Sequence, residues 1–411
     1  MVERSPVPLR RRSGRVGLIA LLTGAMAGSA VLVFAVGALG PLLIRELSLS
    51  PIKFGLLTSA FYVSATVAAP ITGRIVDRVD DRSPVMAVFL VASCSLLFAA
   101  SSPSYFWLLV AMIVGGVSTG ASNPASNALI ARYFPLGGQG MVIGAKQSGV
   151  YLGAVVAGFA LPPMAVRTGW RASFLVLAVV VLGGAIAVRL LIRSDGHSGK
   201  RPKLNQDDLP VIFNGRTLVL AAYAAVMGSG ATAITVYVAV FANDVLSYSE
   251  SRSAGLVGVL GLMSIVGRIG CAWICERLVA AQHLLVAFGF VAVLSSVLVS
   301  LSSVVVHWLV WLGMVGVALS GGSFMSVLML TLIRRDKESG SIGRTTGTVQ
   351  SGFYFGLLVG PLLFGYILDT TGSYQDGWLA CNALFATGLV LAFAWRRAAH
   401  EPGGDHARYS L

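Results

Sequence analysis

Twelve times along this chain a mostly apolar run recurs that is long enough to cross a bilayer. A helix needs about 20 such residues to span the hydrocarbon layer, and there every backbone N–H and C=O must be bonded within the span itself. The runs fall near 16–44, 52–72, 84–101, 106–130, 140–164 and 171–192, then near 216–242, 253–275, 283–303, 305–333, 346–368 and 377–395. Few folds are open to such a chain. The expected class is an all-α integral membrane protein of twelve transmembrane helices.

Composition points the same way, with 56% hydrophobic and 11% charged residues against about 25% charged in an ordinary soluble domain. Arg10, Arg11 and Arg12 ahead of the first run imitate a secretory signal, but the run from Val16 to Ile44 is too long for a signal core and reads as the first span. Cys94, Cys271, Cys275 and Cys381 lie in or beside apolar runs, where cysteine behaves as a small hydrophobe. Cys271 and Cys275 are one helical turn apart, yet no His or carboxylate cluster completes a metal site beside them.

The formal net charge is +13, from 30 Lys and Arg against 17 Asp and Glu. These cations sit in short clusters between apolar runs, without the interleaved aromatics of a single-strand nucleic-acid surface. Nucleic acid is therefore not an expected partner. With twelve spans both termini share a side, and the loops of that side collect Arg4, Arg10, Arg11, Arg12, Arg15, Arg74, Arg78, Arg82, Arg132, Arg277, Arg334, Arg335, Lys337, Arg344, Arg396 and Arg397. The opposite loops hold Arg45, Lys53, Arg167, Arg171 and Arg252. Cytoplasmic loops carry the excess of Lys and Arg, so the termini are expected in the cytoplasm of an inner-membrane protein. The longest polar stretch, Arg193 to Asn214, reads as a linker on the same side. It divides the chain into an N-terminal bundle (1–192), the linker (193–215) and a C-terminal bundle with a short tail (216–411).

An internal repeat supports that division. The segment Gly144 to Gly153 (GAKQSGVYLG) returns as Gly347 to Gly356 (GTVQSGFYFG), 203 residues later, with six of ten positions identical. A Gly-Trp pair follows each copy, Gly169-Trp170 and Gly377-Trp378, at the start of the next span. Chance similarity between apolar helices does not ordinarily keep Gln, Ser, Tyr and three glycines in register, which points to an ancestral duplication.

With these residues in view, the chain resembles the major facilitator superfamily over essentially its full length. The loop after the second span, Gly73-Arg74-Ile75-Val76-Asp77-Arg78-Val79-Asp80-Asp81-Arg82, is similar to that superfamily's signature, in which a Gly precedes Asp-Arg by four residues and a Gly with two basic residues follows. Asp77 and Arg78 match; Asp80 and Asp81 stand where the pattern has Gly and a basic residue. The second-half counterpart begins at Gly267-Arg268 and ends at Glu276-Arg277, with Ala272 for the glycine and Glu276 for the aspartate. The resemblance implies two pseudo-symmetric six-helix bundles, a gating role for Gly73, Asp77, Arg78, Glu276 and Arg277, and spans 5 and 8 facing each other across a central cavity. Gly356, Gly360 and Pro361 resemble the Gly-rich motif of span 11, where small residues at four-residue steps allow close helix packing.

An ionisable residue deep in a span is expensive and marks a functional site by default. Two basic residues qualify, Lys146 and Arg268. At 1.5 Å per residue, counting from Pro135 and back from Glu276, they lie roughly 10–16 Å and about 12 Å into the layer. Transporters place their substrate near that depth. The planar guanidinium of Arg268 suits a carboxylate held by two parallel hydrogen bonds, and Lys146 is expected to add a point charge. The Gly267-Arg268 pair in span 8 also resembles the monocarboxylate and oxalate-type branches, where an arginine of this span contacts substrate carboxylate. Gln147 and Tyr151 are four apart, as are Gln350 and Tyr354, so each pair shares a helix face; these four, with Asn123 and Asn127 of span 4, are the expected polar lining.

Nothing here points to an enzyme. His197, His283, His307, His400 and His406 are scattered over loops and span edges and complete no catalytic constellation. No phosphate loop is present for driving transport with ATP. The expected function is secondary active transport of a small organic anion, a carboxylate, by symport or exchange, with no cofactor and with the chain acting as a monomer in membrane lipid. The alternative is efflux of drug-like or hydrophobic compounds by proton antiport. A cavity for cationic drugs is expected to carry a buried acid, and the deep charges here are positive.

Overall fold

The computed structural model describes residues 12–76, 79, 82–134, 139–192, 215–277, 279, 281–336 and 342–398, and these are helical almost throughout. Among them twelve helices have the length and apolarity to cross a membrane. Spans 1 to 6 are Arg15–Ala38, Pro51–Val76, Arg82–Ala100, Tyr105–Ile130, Val142–Thr168 and Trp170–Leu191. Spans 7 to 12 are Thr217–Asp244, Glu250–Cys271, Ala281–Leu301, Leu309–Met329, Gly347–Thr371 and Tyr374–Arg397. Large apolar side chains such as Val180, Leu190, Phe290 and Leu379 remain exposed on these helices, as a surface solvated by lipid requires.

The spans pair by the same scheme in each half. Span 1 packs on 5, span 2 on 4 and span 3 on 6; span 7 packs on 11, span 8 on 10 and span 9 on 12. Two pseudo-symmetric six-helix bundles result. The duplicated segment is in part a packing device. A Cβ at Gly149 of span 5 would stand 2.2 Å from the Thr23 carbonyl oxygen of span 1, and one at Gly356 of span 11 would stand 2.0 Å from the Ala225 oxygen of span 7. Only glycine lets these backbones approach so closely, the usual means of joining helices in lipid.

Three elements depart from the sequence expectation. The first run, expected over 16–44, ends at Ala38, and a separate short helix, Gly40–Leu47, begins with Pro41 in its first turn. The tenth, expected as one helix over 305–333, is two, Leu309–Gly321 and Phe324–Asp336, interrupted at Gly322-Ser323. Span 5 widens into a π turn at Val156–Ala160 just ahead of Pro162 and Pro163, whose missing N–H groups break the regular ladder.

The bundles meet along two seams, span 2 against span 11 and span 5 against span 8. Both close at the end away from the termini. In the first, Ser59 Oγ donates to the Leu358 carbonyl at 2.7 Å, and the Tyr237 hydroxyl lies 2.7 Å from the Pro51 carbonyl and 3.2 Å from that of Pro361. In the second, a Cβ at Gly158 would fall 2.1 Å from the Gly258 nitrogen. Arg45, before span 2, reaches Glu250 at the start of span 8 across 2.5 Å. Next to it Glu46 accepts from Trp170 Nε1 at 2.6 Å and from Arg171. The Arg171 hydrogen bond holds the Glu46 carboxyl below its ordinary value, against a smaller opposing effect of burial.

Among the expected gating residues, Asp77 and Arg78 lie outside the described residues, as do Asp80, Asp81 and the linker. Gly73 lies near the end of span 2 with no atom within 4 Å of a Cβ placed on it. Glu276 and Arg277 end the helix Glu250–Arg277, and their side chains lie outside what the structure describes.

Candidate functional site

Above the closed seams the bundles part around a cavity of about 930 Å³. Its walls come from both halves: spans 1, 2, 4 and 5 on one side, and spans 7, 8, 10 and 11 on the other. Ile143 and Gly144 at the start of span 5, Ile269 near the end of span 8 and Met329 at the end of span 10 line it toward the side that carries the termini.

Arg268 is the one charged side chain in this lining among the described residues. Its Nε donates to the Gly322 carbonyl at 2.9 Å, where the break between the two helices of span 10 leaves a carbonyl for it, and its Nη1 reaches the Gln147 carbonyl at 3.4 Å. The guanidinium carbon stands 4.7 Å from the centre of the Tyr151 ring, a cation–π distance, and the Tyr151 hydroxyl donates to the same Gly322 oxygen at 3.2 Å. These contacts fix the plane of the guanidinium. They use Nε and Nη1, and no hydrogen bond from Nη2 is found among the described residues.

Six of the eight expected lining residues are brought together here: Arg268, Gln147, Tyr151, Gln350, Tyr354 and Asn123. Asn123 Oδ1 accepts from Gln147 Nε2 at 3.1 Å, and the Tyr354 hydroxyl hydrogen-bonds to both Gln350 and Asn123. One polar network thus crosses between the bundles. The cavity wall also includes Phe34, Phe61, Tyr62, Phe353, Met26 and Met325, an apolar and aromatic lining that the polar and charged positions of the sequence did not single out.

Lys146 and Asn127 do not line the cavity. Lys146 is fully buried, and its ammonium turns toward span 4, donating to Asn127 Oδ1 at 2.6 Å, Ser126 Oγ at 2.7 Å and Asn123 Oδ1 at 3.2 Å. The expected second positive charge at the substrate is therefore behind the wall and not in it. Successive helix positions differ by about 100°, so Gln147 faces the cavity while its neighbour faces its own bundle.

Two bundles related by a duplication, shut together at one end and enclosing a mid-span cation in a cavity between them, are the architecture of a membrane transporter. The family profile of the Major Facilitator Superfamily matches residues 18–361, and the chain belongs to that superfamily. It is 24% identical to the human monocarboxylate transporter 11 over 80% of this chain and 72% of that one. It is 22% identical to the hexuronate transporter of Bacillus subtilis strain 168, over 89% and 91%. The crystal structure of a bacterial homologue of the human lysosomal transporter Spinster, in an inward-facing and occupied conformation, superposes with a TM-score of 0.74 at 16% identity, covering 94% of this chain and 98% of that one. At that identity the likeness speaks for the fold alone.

Proposed function

We propose that this chain is a secondary active transporter that moves a small organic anion, with a carboxylate as the recognised group, by alternating access. The carrying observation is Arg268: the single cation in the described cavity wall, braced on Gly322 and Tyr151, with no hydrogen bond from Nη2 and no carboxylate lining the cavity beside it among the described residues. A guanidinium so placed attracts an anion and repels a cationic drug. The similarity to a monocarboxylate transporter and a hexuronate transporter, both named for anionic substrates, supports the class. The protein is placed in the inner membrane with both termini and the linker in the cytoplasm, because the cations gather on that side. Closure at the opposite end then makes the present conformation inward-facing.

The test is binding to purified protein of lactate, glucuronate and benzoate, with ethidium as a cationic comparison. Truncating one partner of a buried, hydrogen-bonded charge pair costs about 2–5 kcal/mol, or a factor of roughly 30 to several thousand in affinity. Arg268→Lys keeps the charge but loses the fork and is expected to lose carboxylate binding on that scale at unchanged thermal stability. Equal affinity in wild type and variant, or binding of ethidium alone, refutes the assignment and favours efflux.

A further inference from the structure

Lys146 is left without a role by a substrate site that it does not line. A cation in the membrane interior ordinarily pairs with a carboxylate or faces a water-filled cavity, and this one does neither. Its three partners are neutral oxygens. Ser126 spends its own hydrogen on the Ser122 carbonyl at 2.6 Å, so its Oγ is an acceptor toward Lys146, and the cage as a whole matches the three donors of an ammonium.

We infer that Lys146 is the proton-carrying group that couples anion movement to a proton gradient, so that the transporter is a symporter. This rests on the anion-transport reading above. The first support is the cage and its surroundings. Span 4 presents Asn123, Ser126 and Asn127, with Tyr133 beyond them at the end of its helix. Span 1, which packs on span 5, has no titratable side chain after Arg15. Span 8 contributes Arg268 near the Gln147 carbonyl, with Cys271 at one end and Glu250 and Arg252 at the other, and span 5 itself contributes Tyr151. No carboxylate faces the ammonium among the described residues.

The second support is elimination. Proton relays in membranes ordinarily run on Asp, Glu or His, but in the described spans these stand at the ends: Asp244, Glu250, His283, Asp369 and Asp376. Arginine does not release its proton in proteins, whereas a buried lysine exchanges its charge readily. Lys146 is the deep group that can gain and lose a proton.

The third support is connection. Nζ lies one hydrogen bond behind the wall, because Asn123, which accepts from it, lines the cavity. The same Asn123 Oδ1 accepts from Gln147 Nε2, and the Gln147 carbonyl accepts from Arg268 Nη1. A carboxylate on Arg268 therefore adds its negative charge to the network that holds the ammonium, so that anion and proton are bound together. When the carboxylate leaves and Asn123 shifts, the ammonium loses an acceptor and gives its proton to cavity water on the same side, keeping the electron pair on Nζ; the carrier returns with Lys146 neutral and reloads proton and anion on the other side.

The test uses the full-length protein in vesicles with radiolabelled lactate, glucuronate and benzoate, read by counterflow exchange without a gradient and by uptake under an inward acid gradient with an internal pH dye. A gradient of about one pH unit is worth about 1.4 kcal/mol, which sustains about tenfold accumulation at one proton per anion. Wild type is expected to accumulate anion and acidify the lumen. Lys146→Arg and Lys146→Gln, whose charge is fixed, are expected to keep exchange yet show no gradient-driven accumulation and no acidification. Proton flux that survives in either variant overturns the inference. So does loss of exchange and accumulation in equal proportion at unchanged thermal stability, which makes Lys146 a brace for Asn123. Exchange without proton flux in wild type overturns the inference and spares the transport reading; no movement of any of the three anions removes both.

Discussion

Gly158→Ala is expected to shift the conformational equilibrium away from the closure seen here. Gly158 lies in the π turn of span 5, at the seam with span 8. A Cβ there would stand 2.1 Å from the Gly258 nitrogen, 2.4 Å from its Cα and 2.7 Å from the Ala254 carbonyl oxygen. All three are backbone atoms, so no side-chain rotation relieves the contact and the helices must separate by about 1 Å to reach ordinary contact distances. Overpacking of this kind costs about 1–3 kcal/mol, or a factor of roughly 5 to 150 in the population of the closed seam. The cost falls on the closed seam alone, since the alanine is free once the two helices part. The assay is the distance between spin labels on spans 5 and 8 at the end away from the termini, with Gly144→Ala as control on the same span, where a Cβ meets nothing within 4 Å. A longer distance in Gly158→Ala and an unchanged one in Gly144→Ala are expected. If both variants keep the wild-type distance, the seam does not control the equilibrium.

Glu46 is held below its ordinary value of 4.5 chiefly by the hydrogen bond from Arg171. Its stabilisation is therefore present above the unfolded value and lost as pH falls through the lower folded one; the melting-temperature gap between wild type and Glu46→Gln should be open at neutral pH and close in acid, and a gap that persists at about pH 3 would place its origin elsewhere. Reporter fusions after His400 and in the linker near Lys200 are expected to give cytoplasmic signals, because the cations concentrate on that side. A periplasmic signal from either would reverse the orientation and turn the present conformation outward-facing.

The fold was legible because lipid imposes one rule on every span. The number of spans and the two related halves follow from apolar length and duplication, which operate over tens of residues, whereas the facing of spans 5 and 8 was implied by the superfamily resemblance. Local interruptions were legible only as places of weakness. The run Ser320-Gly321-Gly322-Ser323 interrupts an apolar stretch in span 10 and is a turn signal, but it does not say that the helix breaks there or that the break supplies the carbonyl that braces Arg268. The π turn in span 5 had a visible cause in Pro162 and Pro163, but a proline pair predicts a disturbance without saying which turn absorbs it.

Lys146 shows where depth alone misleads. Depth places a residue along the helix axis, whereas its role depends on the angle around that axis, and a single step changes that angle by about 100°. The angle was nevertheless available from the repeat. At the 203-residue offset Gln147 and Tyr151 fall on Gln350 and Tyr354, and all four line the cavity. Gly149 and Gly356, from the two copies, press against spans 1 and 7. Lys146 falls on Val349, an apolar residue that is fully buried. A position that is lysine in one copy and valine in the other, next to a glutamine kept in both, faces the interior of its own bundle. The duplication thus separates the two cations that depth had grouped together. Arg268 belongs to the cavity by geometry, and Lys146 is a polar substitution in a packing position, where a charge without a counter-ion persists only if some function requires it.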